Sequence, residues 1–253
     1  MALLDVQEVS VRFGGIVALD ELSFDIEKGQ ICGLIGPNGA GKTTMFNCVS
    51  RIYQPNSGKI RFEGNDILAV NAHGIAKLGI ARTFQNLALF PSLSVLENVM
   101  VGAHSTSRTN FVSAPLRLGV KKEERELAGR ALQILVDLDL ANIALRPCAG
   151  LPFGTLKRIE IARAMAAQPR LLLLDEPASG LTHSEVDELD ETITWLRDTY
   201  DLTVLLVEHH MQMVMGISDK VVVLDFGRKI AEGTPAEVKD DPRVIEAYLG
   251  APA

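Results

Sequence analysis

The run Gly36-Pro37-Asn38-Gly39-Ala40-Gly41-Lys42-Thr43 constrains this chain more than any other segment. It follows a short apolar stretch, Ile31-Cys32-Gly33-Leu34-Ile35, and precedes a helical pattern over residues 42–51. Strand, glycine loop and helix in that order match the phosphate-binding pattern G-x-x-x-x-G-K-[ST]. Glycines let the backbone turn tightly enough to aim its N–H groups at phosphate oxygens, and the helix that follows adds its positive end. Lys42 is the expected contact to the β- and γ-phosphates, and the Thr43 hydroxyl the expected ligand of Mg²⁺. Thr44, in the same first turn, joins the candidate binding set.

A second chemical signal lies far along the chain. The apolar run Leu171–Leu174 ends in Asp175-Glu176, placing two carboxylates at the carboxyl end of a strand, where α/β proteins bind ligands. Asp175 is expected to orient the Mg²⁺ of a bound nucleoside triphosphate through water, and Glu176 to polarise an attacking water. Val204–Val207 and Val221–Leu224 are further continuous apolar runs, as strands covered on both faces require. Between the first two lies a helix with Val186, Leu189, Ile193 and Leu196 on one face. Strands alternating with helices give an α/β fold with a largely parallel sheet. Residues 3–12, 17–26 and 59–62 read as additional strands. The section 86–150 is mostly helical: Ser94-Val95-Leu96-Glu97 is a capping box, and Lys121–Asp139 has helical apolar spacing.

With 253 residues the chain can bury one large core. A net charge of −7 argues against nucleic acid as a partner. Cys32, Cys48 and Cys148 are too scattered for a zinc site or a disulfide framework and read as small buried hydrophobes in a reducing compartment. No basic region followed by an apolar stretch suggests a signal peptide, and no run of about 18 apolar residues suggests a membrane span.

The remaining motifs stand in a telling order. Phe13 precedes Gly14-Gly15, and Gln85 follows the glycine loop. Leu151-Pro152-Phe153-Gly154-Thr155 stands just before a helix and about twenty residues before Asp175. Ala178-Ser179-Gly180-Leu181-Thr182 follows Glu176, and Val207-Glu208-His209 ends the next strand. Over essentially its whole length the sequence resembles the ATP-binding subunits of ABC transporters. The segments Ala81–Asn86, Glu208–Met211, Met215–Asp219 and Ala247–Gly250 look like the branched-chain amino-acid uptake subfamily, with urea or amide importers and lipopolysaccharide-export cassettes similar in general plan.

The resemblance implies one ATP-binding domain over 1–253. Its P-loop, RecA-like core would comprise residues 1–85 and 155–253, with N-terminal antiparallel strands, and its helical subdomain residues 86–154. Phe13 would stack on adenine. Gln85 would sense Mg²⁺ and the γ-phosphate, and His209 would contact that phosphate and the attacking water. Leu151–Thr155 would act as the signature that closes over the ATP of a second cassette, identical or different. Further partners would be transmembrane permease subunits and, for an importer, a separate substrate-binding protein, with the chain peripheral on the cytoplasmic face of the inner membrane. Pro152 replaces the usual signature serine, Thr155 the glutamine, and Thr182 the usual acid or amide of the segment after Glu176. At the level of sequence an exporter ATPase and a soluble ABC ATPase acting on DNA or ribosomes stay open, as does a small-molecule kinase sharing only the glycine loop.

Overall fold

The computed structural model describes residues 2–83, 87–103 and 120–249. Two sheets organise it. Strands β1 (Ala2–Phe13), β2 (Ile16–Glu27), β4 (Ser57–Phe62) and β5 (Asn65–Asp66) form an antiparallel sheet in the order β2-β1-β4-β5, with β3 (Ile31–Ile35) lying between β2 and β4 in sequence. Cross-strand pairs such as Val6 with Phe24, Val6 with Ile60 and Leu4 with Phe62 turn one apolar face inward.

The second sheet contains β3 (Ile31–Ile35), β6 (Ile80–Arg82), β7 (Leu171–Asp175), β8 (Thr203–Val207), β9 (Lys220–Asp225) and β10 (Arg228–Gly233). Its order is β10-β9-β3-β8-β7-β6, with β9 to β6 parallel and β10 an antiparallel edge. Every residue of β3, β7 and β8 is buried. That burial explains why these strands are unbroken apolar runs rather than alternating ones.

Helices cover the parallel sheet. Helix α1 (Lys42–Val49) follows β3 directly. It stops two residues before the expected end, because Ser50 caps it and Arg51 takes a left-handed φ of 61° with its guanidinium on the Val70 and Leu68 carbonyls. Helices α2 (Val95–Ala103), α3 (Val120–Asp137) and α4 (Phe153–Met165) pack on one another. The Ser94–Glu97 capping box opens α2: Ser94 N–H donates to Glu97 Oε2 at 2.8 Å, and Glu97 N–H to Ser94 Oγ at 3.2 Å. The expected end of α3 at Asp139 is drawn back to Asp137, since Asp139 has a left-handed φ of 53°. Because α4 begins at Phe153, the boundary at 154/155 falls inside its first turn.

Helix α5 (His183–Tyr200) buries Val186, Leu189, Ile193 and Leu196. Three shorter helices, α6 (Met211–Ile217), α7 (Pro235–Lys239) and α8 (Pro242–Leu249), close the described chain. The three cysteines are free and buried. Among the described residues no helix is long and apolar enough to cross a membrane.

Candidate active site

Strand order decides what meets at the carboxyl edge of the parallel sheet. Since β3, β8, β7 and β6 are consecutive neighbours, the loops after Ile35, Val207, Asp175 and Arg82 lie side by side. Pairing holds Leu34 level with Val207, and Val207 level with Asp175. Chemistry spread in sequence from Gly36 to His209 thus collects on one rim, as expected for a parallel sheet.

The Gly36–Thr43 loop is shaped by two glycines that nothing else could replace. A Cβ on Gly36 (φ 151°) would stand 2.1 Å from the Leu224 carbonyl oxygen, and one on Gly41 (φ 102°) 2.6 Å from that of Ala18. Gly41 is the N-cap of α1 and gives it no side-chain cap, so the first-turn N–H groups are left for a ligand. Pro37, Asn38 and Gly39 form the outward part of the loop, closed by Ala40 N–H on the Pro37 carbonyl at 3.1 Å. Thr43 is exposed and Thr44 half-buried. The Lys42 ammonium turns back into the loop, donating to the Gly36 carbonyl at 2.6 Å and that of Pro37 at 3.0 Å. Burial lowers its pKa, and the charge of Glu176 counteracts this in part. Here is a cradle of N–H donors with a cation held beside it, which fits an oligophosphate.

Asp175, almost fully buried, is paired with Arg82: Asp175 Oδ2 lies 2.7 Å from Nη2. Arg82 also donates to Asn47 Oδ1 at 2.7 Å and lies over the Phe46 ring, 5.5 Å from its centre. The pair joins the end of β7 to α1 beneath the phosphate cradle. Glu176 takes a left-handed φ of 49°, a conformation a non-glycine residue holds only when its surroundings enforce it. Its N–H is held by the Val207 carbonyl at 2.9 Å. The carboxylate turns toward His209, with Oε1 3.5 Å from Nδ1.

The oxygen donors of Thr43 and Asp175 suit a small hard cation such as Mg²⁺, which keeps several waters and takes few protein ligands. Gln85 lies outside the described residues.

Not every expected residue is at this rim. Phe13 ends β1, is partly exposed, and meets Tyr53 edge-on at 5.2 Å. Leu151–Thr155 forms the start of α4, and among the described residues no hydrogen bond or ion pair joins it to the Gly36–Thr43 loop. Pro152 is the N-cap there and offers no side-chain bond. Phe153 lies against Gly180, where a Cβ would stand 3.0 Å from the ring, and Gly154 packs beside Glu185. Thr182, in place of an acid, caps α5 in a box with Glu185, whose carboxylate accepts the Thr182 N–H at 2.8 Å. Arg82 and Glu208 carry no distinct functional signal in the sequence beyond their neighbours. An arginine ending a short strand, and an acid before a histidine, were the available signals.

Comparison with known proteins decides the family. A model of the ABC transporter family matches residues 19–179, and one for the branched-chain amino acid ATP-binding cassette transporter matches residues 228–253. The chain is 43% identical to the high-affinity branched-chain amino acid transport ATP-binding protein BraF of Pseudomonas aeruginosa, and 41% identical to LivG of Escherichia coli, covering 98% of each chain in both cases. The chain belongs to the ABC transporter ATP-binding family. Its fold agrees with solved cassettes: the ADP conformation of MJ1267, an ATP-binding cassette of an ABC transporter, superposes with a TM-score of 0.87 at 31% identity, covering 99% of both chains. A nucleotide-free cassette from an ABC transporter gives 0.87 at 30%, over 99% of this chain and 100% of the other. The cassette is therefore a transport ATPase. A kinase sharing only the glycine loop is set aside.

Proposed function

We propose that this cassette powers import of branched-chain amino acids, as one of two ATPase subunits on the cytoplasmic face of the inner membrane. The observation that carries the reading is full-length similarity to BraF and LivG together with the subfamily match over residues 228–253. Permease subunits would form the pathway, and a separate binding protein would deliver the amino acid. A shallow, mostly apolar groove of about 450 Å³ adjoins Arg82 and is lined by Ala72, Ile75, Ala88, Phe90, Val101 and Ala167. Lying between β6 and helices α2 and α4, it is the seat we assign to a permease segment, so that a push there reaches the Asp175 end of the site. The division into a core (1–85, 155–253) and a helical subdomain (86–154) remains our reading of the family resemblance, with α4 running across its second boundary.

The geometry of the rim supports the following roles. The α1 N-terminus and Lys42 bind the triphosphate, Lys42 exchanging the Gly36 and Pro37 carbonyls for phosphate oxygens. Thr43 and Asp175, with Gln85, would hold Mg²⁺, which supplies charge neutralisation at the phosphates. Glu176 would accept a proton from the attacking water, with His209 beside it to contact the γ-phosphate. Phe13 would stack on adenine, and Leu151–Thr155 would serve the ATP of the opposing cassette.

The test is reconstitution in proteoliposomes with the permease subunits, the partner cassette and the binding protein. ATP-dependent uptake of radiolabelled leucine, isoleucine or valine is expected. Vigorous uptake of urea or a short amide, with none of the three amino acids, would overturn the substrate assignment while leaving the ATPase intact.

A further inference from the structure

Glu208 is a buried acid that these roles leave unexplained. It is 1% exposed, and its two carboxylate oxygens are fully engaged by backbone. Oε1 accepts the Ala178 N–H at 2.8 Å, while Oε2 accepts the N–H groups of His209 at 2.9 Å and His210 at 3.0 Å. Among the described residues no lysine, arginine or histidine pairs with it. Among the described residues, its hydrogen bonds all come from peptide N–H donors. We propose that Glu208 is a positioning residue for ATP hydrolysis, tying the loop after β7 to the turn after β8 so that Glu176 and His209 keep one relative geometry.

The argument is one of connectivity. Ala178 is two residues beyond Glu176, and His209 directly follows Glu208. Strands β7 and β8 are already paired with Asp175 level with Val207, and Glu176 N–H is bonded to the Val207 carbonyl. Beyond that point the sheet ladder ends, and the Glu208 carboxylate is the next link. It closes a short ring of covalent and hydrogen bonds that contains both Glu176 and His209. Three N–H donors from two separate loops converge on one group, which therefore needs two acceptor atoms and no donor. Among side chains that reach this far, glutamate is the one that offers two acceptor oxygens on one group. The ring also anchors the start of the Ala178–Thr182 segment, which leads to Gly180 under Phe153 and to the α5 cap. A shift of Phe153 therefore has a direct route back to Glu176.

The proposal rests on the roles given to Glu176 and His209 above, and its test separates the two. In the assembled transporter, Glu208→Gln keeps the shape but turns one acceptor into a donor, so it can satisfy Ala178 or the His209–His210 pair but not both. The expected result is a fall in kcat of about 10-fold or more, with KM for ATP within about two-fold of wild type. Faster amide exchange at Ala178 or His209 should accompany it. Wild-type kcat would overturn the proposal. So would parallel collapse of kcat, ATP affinity and thermal stability, which would make Glu208 a general structural residue. If that variant does not assemble, Glu208→Asp retains charge and both acceptors on a shorter stem. It should again lower kcat without raising KM, and wild-type turnover would again refute the idea. His209→Ala, measured alongside, isolates the underlying reading. Normal turnover there with an impaired Glu208→Gln would remove His209 from the chemistry and leave Glu208 acting through the Ala178 loop.

Discussion

Arg82→Met probes a buried ion pair at the rim that is independent of nucleotide. Arg82 and Asp175 are at most 10% exposed and meet at 2.7 Å, so their attraction is weakly screened. Removing one member of such a pair strands the other charge, at a cost of about 3–5 kcal/mol. The bonds from Arg82 to Asn47 and Ser50 are lost as well. Methionine keeps an apolar stem against Phe46, which offsets part of this. A net loss of about 3 kcal/mol corresponds to a fall in Tm of roughly 6–12 °C for a domain of this size. Thermal unfolding without nucleotide measures it. Mg-ATP should recover more Tm in the variant than in wild type, because Asp175 regains a cation. Adding Asp175→Asn should restore much of the nucleotide-free stability, since no buried charge is then left alone. A nucleotide-free Tm within about 2 °C of wild type would refute the reasoning. A double variant no more stable than Arg82→Met would shift the loss to the Asn47 and Ser50 contacts.

Lys42→Ala should weaken ATP binding by about 10- to 100-fold, the worth of a hydrogen bond to a charged group; unchanged affinity by calorimetry would exclude the Gly36–Thr43 loop as the phosphate site. Glu176→Gln in the complete transporter should bind Mg-ATP yet turn over about 10²-fold or more slowly, and near-normal hydrolysis would move the base role elsewhere. In that background, Pro152→Ser should raise the residual hydrolysis of the partner's site, because serine adds a hydroxyl donor worth about 1.5–3 kcal/mol toward a phosphate oxygen; no change would leave Pro152 as a helix-start residue only. On α5, burial and the neighbouring Asp187 push the Asp190 carboxyl up to about 6, against the opposing influence of His210. A raised folded-state pKa gives stability that is complete below the unfolded value and lost as pH rises through about 6. Asp190→Asn should therefore raise Tm relative to wild type at pH 8, with the gap closing by about pH 4; a constant gap across that range would refute it.

Legibility in the sequence tracked the range of the interactions involved. Strands β3, β7, β8 and β9 were plain because burial on both faces demands apolar runs that a short window contains. The capping box at Ser94 and the inner face of α5 were likewise local patterns. Strand β6 has three residues and no periodicity, while β10 is an edge strand whose sequence, Arg228-Lys229-Ile230-Ala231-Glu232-Gly233, is half charged. Neither has a signal of its own; each exists because a neighbouring strand offers a free edge.

The site divides in the same way. The glycine loop was legible because its chemistry is backbone chemistry, encoded by the residues that shape it. Asp175 and Glu176 were legible because they end a buried strand. Arg82 and Glu208 were not, because their meaning lies in partners 93 and 30 residues away. Thr182 shows the converse. Judged by a family pattern it is a departure, yet locally it is a sound choice, since its hydroxyl and Glu185 cap α5 from both directions. The cap fixes where the Ala178–Thr182 segment ends, and Glu208 fixes where it begins. An acid at position 182 could keep the N-cap role through a carboxylate oxygen but would set a second negative charge beside Glu185. Threonine thus secures the helix without that repulsion, and the physical cost of the departure falls only on whatever an opposing cassette would have drawn from the missing charge.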